Sequence, residues 1–142
     1  MFTGEYRHAV DGKGRMAVPA RFRAQLEGEV VVARWLDACL AIFPMAAWNV
    51  ITAKLDALPM TDPTARLLQR RLYGGAFETE VDKQGRLLLP QNLREAAGLQ
   101  DEAVILGVRN HVEIWSPAKW SPFEAELADD AAFAEAVSKL GI

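Results

Sequence analysis

Two short stretches bring together residue types that could do chemistry: Asp11-Gly12-Lys13-Gly14-Arg15 and Asp82-Lys83-Gln84-Gly85-Arg86. In each, a carboxylate and a guanidinium flank three residues that end in glycine. Three-residue hairpin loops favour a type I turn followed by a left-handed residue, and Gly14 and Gly85 fall on that position. Such a loop draws its flanking side chains together, so Asp11 and Asp82 can hold Arg15 and Arg86 in a fixed direction through charge-assisted hydrogen bonds. A planar guanidinium held this way matches any surface that offers two acceptors side by side. The N7 and O6 atoms of a guanine edge do so, with about 1–3 kcal/mol of discrimination per pairing. Lys13 and Lys83 sit one position out of register between the loops, where an ammonium can neutralise flanking phosphates and add affinity rather than selectivity. Taken singly, an exposed Asp–Arg pair closes a surface hairpin and contributes only about 0–1 kcal/mol.

The recurrence gives the pair more weight. Val10 through Pro19 returns as Val81 through Pro90, keeping Asp, Gly, Arg and Pro while the strand residues around them drift. Upstream, Tyr6, His8 and Val10 match Phe77, Thr79 and Val81. Downstream, Leu40-Ala41-Ile42-Phe43 with Trp48 resembles Val112-Glu113-Ile114-Trp115 with Trp120. Two copies of this length describe an internally duplicated α+β domain rather than a solenoid of many short units.

Within each copy, alternation over 5–10 predicts a half-buried strand, and 15–18 and 86–89 predict short partners that make a two-stranded ribbon suited to a major groove. Pro19 and Pro90 fit the first position of short helices over 20–26 and 91–97. Strands over 29–33 with 39–43, and over 103–106 with 111–115, are each expected to join through a tight polar connection. The order per copy is ββαββα. The chain therefore divides into a first repeat at 5–50, a helical connector at 51–75, a second repeat at 76–120 and an acidic amphipathic helix at 121–142. Between the repeats Trp48, Ile51, Leu55 and Leu58 recur at helical spacing before Pro59 and Pro63. In the tail Phe133, Val137 and Leu140 share a face that packs locally or on a neighbouring subunit.

Sixteen basic against nineteen acidic residues leave a net charge of −3, which opposes a polyanionic partner only on average. Residues 121–142 hold Glu124, Glu126, Asp129, Asp130 and Glu135 against Lys139, and without that −4 the rest of the chain carries +1. One cysteine, Cys39, can make neither an intrachain disulfide nor a thiolate metal site and reads as a small buried residue, which points to a reducing compartment. No long apolar run marks a signal peptide or membrane span, so a cytoplasmic location without a membrane partner is expected. His8 and His111 lack ligands at metal spacing, and neither a metal nor a cofactor is expected. Arg66, Arg70 and Arg71 read as a solvated face or as ion pairs to the acidic tail. Trp48 and Trp120 read as packing residues.

The opening Met1-Phe2-Thr3-Gly4-Glu5-Tyr6, the run Asp11-Gly12-Lys13-Gly14-Arg15 through Val18-Pro19-Ala20-Arg21-Phe22-Arg23, Pro44-Met45 with Trp48, and Asp82-Lys83-Gln84-Gly85-Arg86 together resemble the MraZ family of bacterial transcription regulators. The resemblance spans nearly the whole chain. It implies a swapped-hairpin β-barrel of the AbrB and SpoVT type with peripheral helices, both units lying in one polypeptide. It further implies a ring-shaped homo-oligomer, associated with the nucleoid, that binds short G-rich direct repeats in double-stranded promoter DNA upstream of division and cell-wall genes. Many weak hairpin contacts on a ring would add up by multivalency. Carried over by position, the DNA-reading motif falls on Lys13, Arg15, Lys83 and Arg86, with Asp11, Gly14, Asp82 and Gly85 shaping the loops. Gln84 departs from the lysine that precedes glycine in the first loop, so the two loops need not contribute equally.

An enzyme is the main contrast, because related small barrels include a self-processing decarboxylase. That chemistry needs a Gly-Ser cleavage pair, which this chain lacks, and no nucleophile with a nearby base or phosphate-cradling glycine motif occurs. An antitoxin-like DNA-binding interaction module is the other contrast. Antitoxins of this fold carry a single hairpin unit and a disordered tail, whereas this tail has helical periodicity.

Overall fold

The run Val30-Val31-Val32-Ala33 leaves no side for solvent, so the strand it forms must be covered on both faces. The computed structural model describes Met1–Ile142 and places this run inside a six-stranded antiparallel sheet. The first half contributes β1 (Glu5–Ala9), β2 (Arg15–Ala17), α1 (Ala20–Arg23, continued by a 3₁₀ turn over Ala24–Leu26), β3 (Glu29–Arg34), β4 (Leu40–Pro44), α2 (Met45–Asp56) and α3 (Pro63–Gly75). The second half repeats that order as β5 (Phe77–Glu80), β6 (Arg86–Leu88), α4 (Gln91–Ala97), β7 (Glu102–Val108), β8 (His111–Trp115), α5 (Pro117–Leu127) and α6 (Asp130–Ser138).

The sheet order is β1-β7-β8-β4-β3-β5, so the halves meet where β4 pairs β8 and each half sends its first strand to the other's flank. β2 and β6 leave this sheet and pair with each other as a separate two-stranded ribbon. β1 and β5 remain free edges, and the strands do not close into a barrel. The architecture is thus α+β and duplicated, as expected, but with an open sheet and a ribbon in place of the expected barrel. Each expected hairpin is also only a turn. β1 and β2 share a single bridge, Val10 to Met16, and then diverge, because the backbone groups of β1 are taken by β7 and those of β2 by β6.

Side chains sort by parity into layers. Val30, Val32, Leu40, Ile42, Ala103, Ile105, Val112 and Ile114 face the ribbon's Met16 and Leu87 and the helix residues Phe22, Leu26, Leu93 and Ala97 in one core. On the opposite face Val31, Ala33, Ala41 and Phe43 lie under Trp48 of α2, while Val104 and Trp115 lie with Cys39 under Trp120 of α5. The two tryptophans and Cys39 are packing residues, as their sequence positions predicted.

Three local expectations change. Pro19 and Pro90 sit one residue ahead of their helices with extended ψ of 133° and 150°, as caps rather than first helical residues. The β3–β4 connection is not tight and polar. It runs through Trp35, Leu36, Asp37, Ala38 and Cys39, with Asp37 and Ala38 at φ of 60° and 66°, whereas β7 and β8 join through Arg109 and Asn110. The acidic tail is not one helix over 121–142, because the chain breaks at Asp129, which caps α6 by accepting from the Ala131 and Ala132 N–H groups.

Candidate nucleic-acid interface

Asp11 shapes the first loop through both carboxylate oxygens. Oδ1 accepts from the backbone N–H groups of Lys13 and Arg15, each at 2.9 Å, and Oδ2 accepts from Arg15 Nε at 2.8 Å. The Gly14 N–H reaches the Asp11 carbonyl at 3.0 Å with Gly14 at φ +83°, the left-handed position the spacing required. Asp82 repeats the arrangement with Gln84 and Arg86 N–H at 2.9 Å and Arg86 Nε at 3.0 Å. The backbone N–H of Arg15, outweighing the desolvation that opposes it and helped by the Arg15 guanidinium, lowers the Asp11 carboxyl from 3.8 to about 2. The Arg86 backbone N–H likewise lowers Asp82. Both carboxylates are therefore charged at neutral pH. Because each holds its arginine through Nε, the Nη groups of Arg15 and Arg86 take no hydrogen-bond partner within the chain.

The ribbon turns two loops into one surface. Arg15 pairs with Leu88, Met16 with Leu87 and Ala17 with Arg86. Alternation then puts Arg15, Ala17, Arg86 and Leu88 on one face and the fully buried Met16 and Leu87 on the other. Arg15 and Arg86 are diagonal neighbours across this pair, a relation that places Cα atoms about 7–8 Å apart. Leu88 is 43 % exposed, an apolar residue left facing solvent beside two oriented arginines.

Each loop is also braced by the other half. Arg23 of α1 donates through Nε to the Val18 carbonyl at 3.0 Å, and its guanidinium lies over Gly85, where an added Cβ would stand 2.5 Å from Arg23 Cζ. Arg94 of α4 donates to the Leu89 carbonyl at 2.8 Å and lies over Gly14, where a Cβ would meet the Leu89 carbonyl oxygen at 2.7 Å. Backbone bonds from Val18 N–H to the Gly85 carbonyl and from Leu89 N–H to the Gly14 carbonyl, both 2.8 Å, complete the lock. Sequence reading did not single out Arg23 and Arg94 as site residues. The signal was present, since they occupy the same offset in the two copies as Arg15 and Arg86.

The flanks differ. Lys13 and Lys83 are both exposed at the loop tips, but Lys83 shares a shallow surface depression with Glu29, Glu78 and Glu80. There Glu29 is raised by its hydrogen bond to Glu78, then by the charges of Glu78 and Glu80. At the matching positions of the first copy stand Arg7 and Ala9. Of the other residues weighed for binding, His8 borders the ribbon, its Nδ1 2.6 Å from the Ala17 carbonyl, whereas His111 Nε2 approaches Glu113 at 3.5 Å and Arg66 donates to the Met60 carbonyl at 3.0 Å. No ion pair joins Arg66, Arg70 or Arg71 to the acidic tail.

Comparison with known proteins matches residues 1–71 and 72–140 separately to the MraZ protein family, described as antitoxin-like. Full-length relatives include a transcriptional regulator MraZ from Desulfitobacterium hafniense, 50% identical over 143 residues with both chains fully covered. One from Herpetosiphon aurantiacus is 46% identical over 143 residues with the same full coverage. Another from Roseiflexus castenholzii is 46% identical over 141 residues, covering 99% of each chain.

Proposed function

The chain belongs to the MraZ family, whose relatives are named transcriptional regulators, and from that premise we propose that it regulates transcription by laying the β2–β6 ribbon in the major groove of duplex DNA. A groove about 12 Å wide admits a two-stranded ribbon. The observation that carries this reading is the shared outward face, on which Arg15 and Arg86 are held through Nε with both Nη groups unclaimed. Two free Nη groups on a fixed plane suit the paired N7 and O6 acceptors of guanine. Because the two arginines share one face of the ribbon, they would read guanines within a single stretch of groove. Ala17 and Leu88 lie between them and suit thymine methyl groups.

Lys13 and Lys83 add phosphate contacts on either flank. The acidic residues beside Lys83 weaken that side, so the first loop is the stronger anchor. The G-rich direct repeats upstream of division and cell-wall genes, the ring-shaped assembly and the nucleoid-associated cytoplasmic setting belong to the same proposal. No helix is long and apolar enough to cross a membrane. Repeated sites on DNA and repeated ribbons on a ring would compensate by multivalency for the modest charge of one chain.

Titration of target and scrambled duplexes over a range of salt tests the roles. Arg15→Ala should lose about five- to 150-fold in target affinity, corresponding to about 1–3 kcal/mol, with little loss on scrambled DNA. Lys13→Ala should weaken both alike and reduce the salt slope by about 1. Equal loss on both duplexes for Arg15→Ala would make that arginine a phosphate anchor.

A further inference from the structure

Away from the ribbon, the β3–β4 connection, α2 and α3 enclose an apolar groove of about 700 Å³. Its wall includes Leu36, Leu58 and Leu68, which are 69, 37 and 37 % exposed, and its rim carries Arg34, Lys54 and Arg71 against Asp37 alone. None of the three cations is in an ion pair. The connection that builds the wall turns through two non-glycine residues, Asp37 and Ala38, in left-handed backbone. The second copy has no such wall, since β7 and β8 join through Arg109 and Asn110.

The complementary surface lies on α6. In element order α6 corresponds to α3, which packs back on α2 and β3 and buries Ala65. α6 buries none of its residues. Phe133, Val137 and Leu140 nevertheless follow the i, i+4, i+7 spacing of a packing face, and Phe133 and Leu140 are 65 and 72 % exposed. Asp129 and Asp130 flank the N-terminal end of that face, giving it the sign opposite to the groove's rim.

We propose that the apolar groove between the β3–β4 connection, α2 and α3 receives the acidic C-terminal helix α6 of a second copy of this chain. The contact is head-to-tail: every copy offers one groove and one helix, so the contact propagates and yields rings where the rotation closes. The proposal supplies an interface for the self-association named above and does not depend on how the ribbon reads DNA.

Two variants separate the halves of the contact. Leu36→Asp with Leu68→Asp spoils the groove, and Phe133→Asp with Leu140→Asp spoils the helix; all four residues are exposed, so both proteins should melt as the wild type does. By sedimentation at tens of micromolar, the wild type should be a multimer and each variant alone should fall to the 15.7 kDa chain. Mixed in equal amounts, the intact helix of one should fill the intact groove of the other to give a two-chain complex and nothing larger. Deleting residues 130–142 should act as the helix variant does and covers the case in which aspartate disturbs folding. A monomeric wild type, variants of undiminished mass, or variants that fail to combine would overturn the proposal. The Arg15→Ala, Arg86→Ala chain should keep the wild-type mass, so failure of the interface and failure of the DNA reading are seen separately.

Discussion

At the scale of single residues, the site rests on two carboxylates that each organise a turn and an arginine at once. This much was legible in the sequence because it is local: Asp, glycine and Arg within five positions fix the turn, the left-handed residue and the direction of the guanidinium. What lies across the loop was not legible. Nothing in the spacing says that Arg94 covers Gly14 or that Arg23 covers Gly85, since those contacts depend on the halves being exchanged. The two glycines consequently differ in what surrounds them. Gly85→Ala meets the end of a flexible arginine and should cost about the 1–2 kcal/mol of a left-handed alanine. Gly14→Ala also meets the fixed Leu89 carbonyl and should cost more, a ranking that denaturant unfolding of the two variants checks.

At the scale of elements, the ribbon couples a buried face to an exposed one. Leu87 is fully buried in the main core, so Leu87→Ala should lose about 2–5 kcal/mol of stability, as large-to-small core changes do. Leu88, its neighbour on the outward face, should tolerate alanine within about 0.5 kcal/mol while altering DNA selectivity. Comparing unfolding midpoints with duplex binding for the two variants tests that division of labour. The ribbon itself escaped sequence reading for a physical reason. A turn between two short strands ordinarily pairs its own flanks, and only long-range competition from β7 and β6 for the same backbone groups pulls β1 and β2 apart. The doubly buried stretches of β3, β4 and β7 were legible, being apolar runs bounded by turns. The break at Asp129 was missed because the tail's apolar face, Phe133, Val137 and Leu140, lies wholly beyond it and says nothing of where its helix begins.

At the scale of the whole molecule, exchange of first strands and the shared ribbon make the halves interdependent. Residues 1–75 alone leave β1 without β7 and β2 without β6, and should be unfolded or self-paired by circular dichroism, whereas co-expression with 76–142 should restore a folded complex. The same interdependence merges two loops into one reading surface, which is the central claim. Selection of bound duplexes from a random pool, run side by side with the wild type and with the Arg15→Ala, Arg86→Ala double variant, tests it most directly. The wild type should enrich guanine-bearing sites, and the double variant should enrich none. Recovery of the same sites by the double variant would contradict the account.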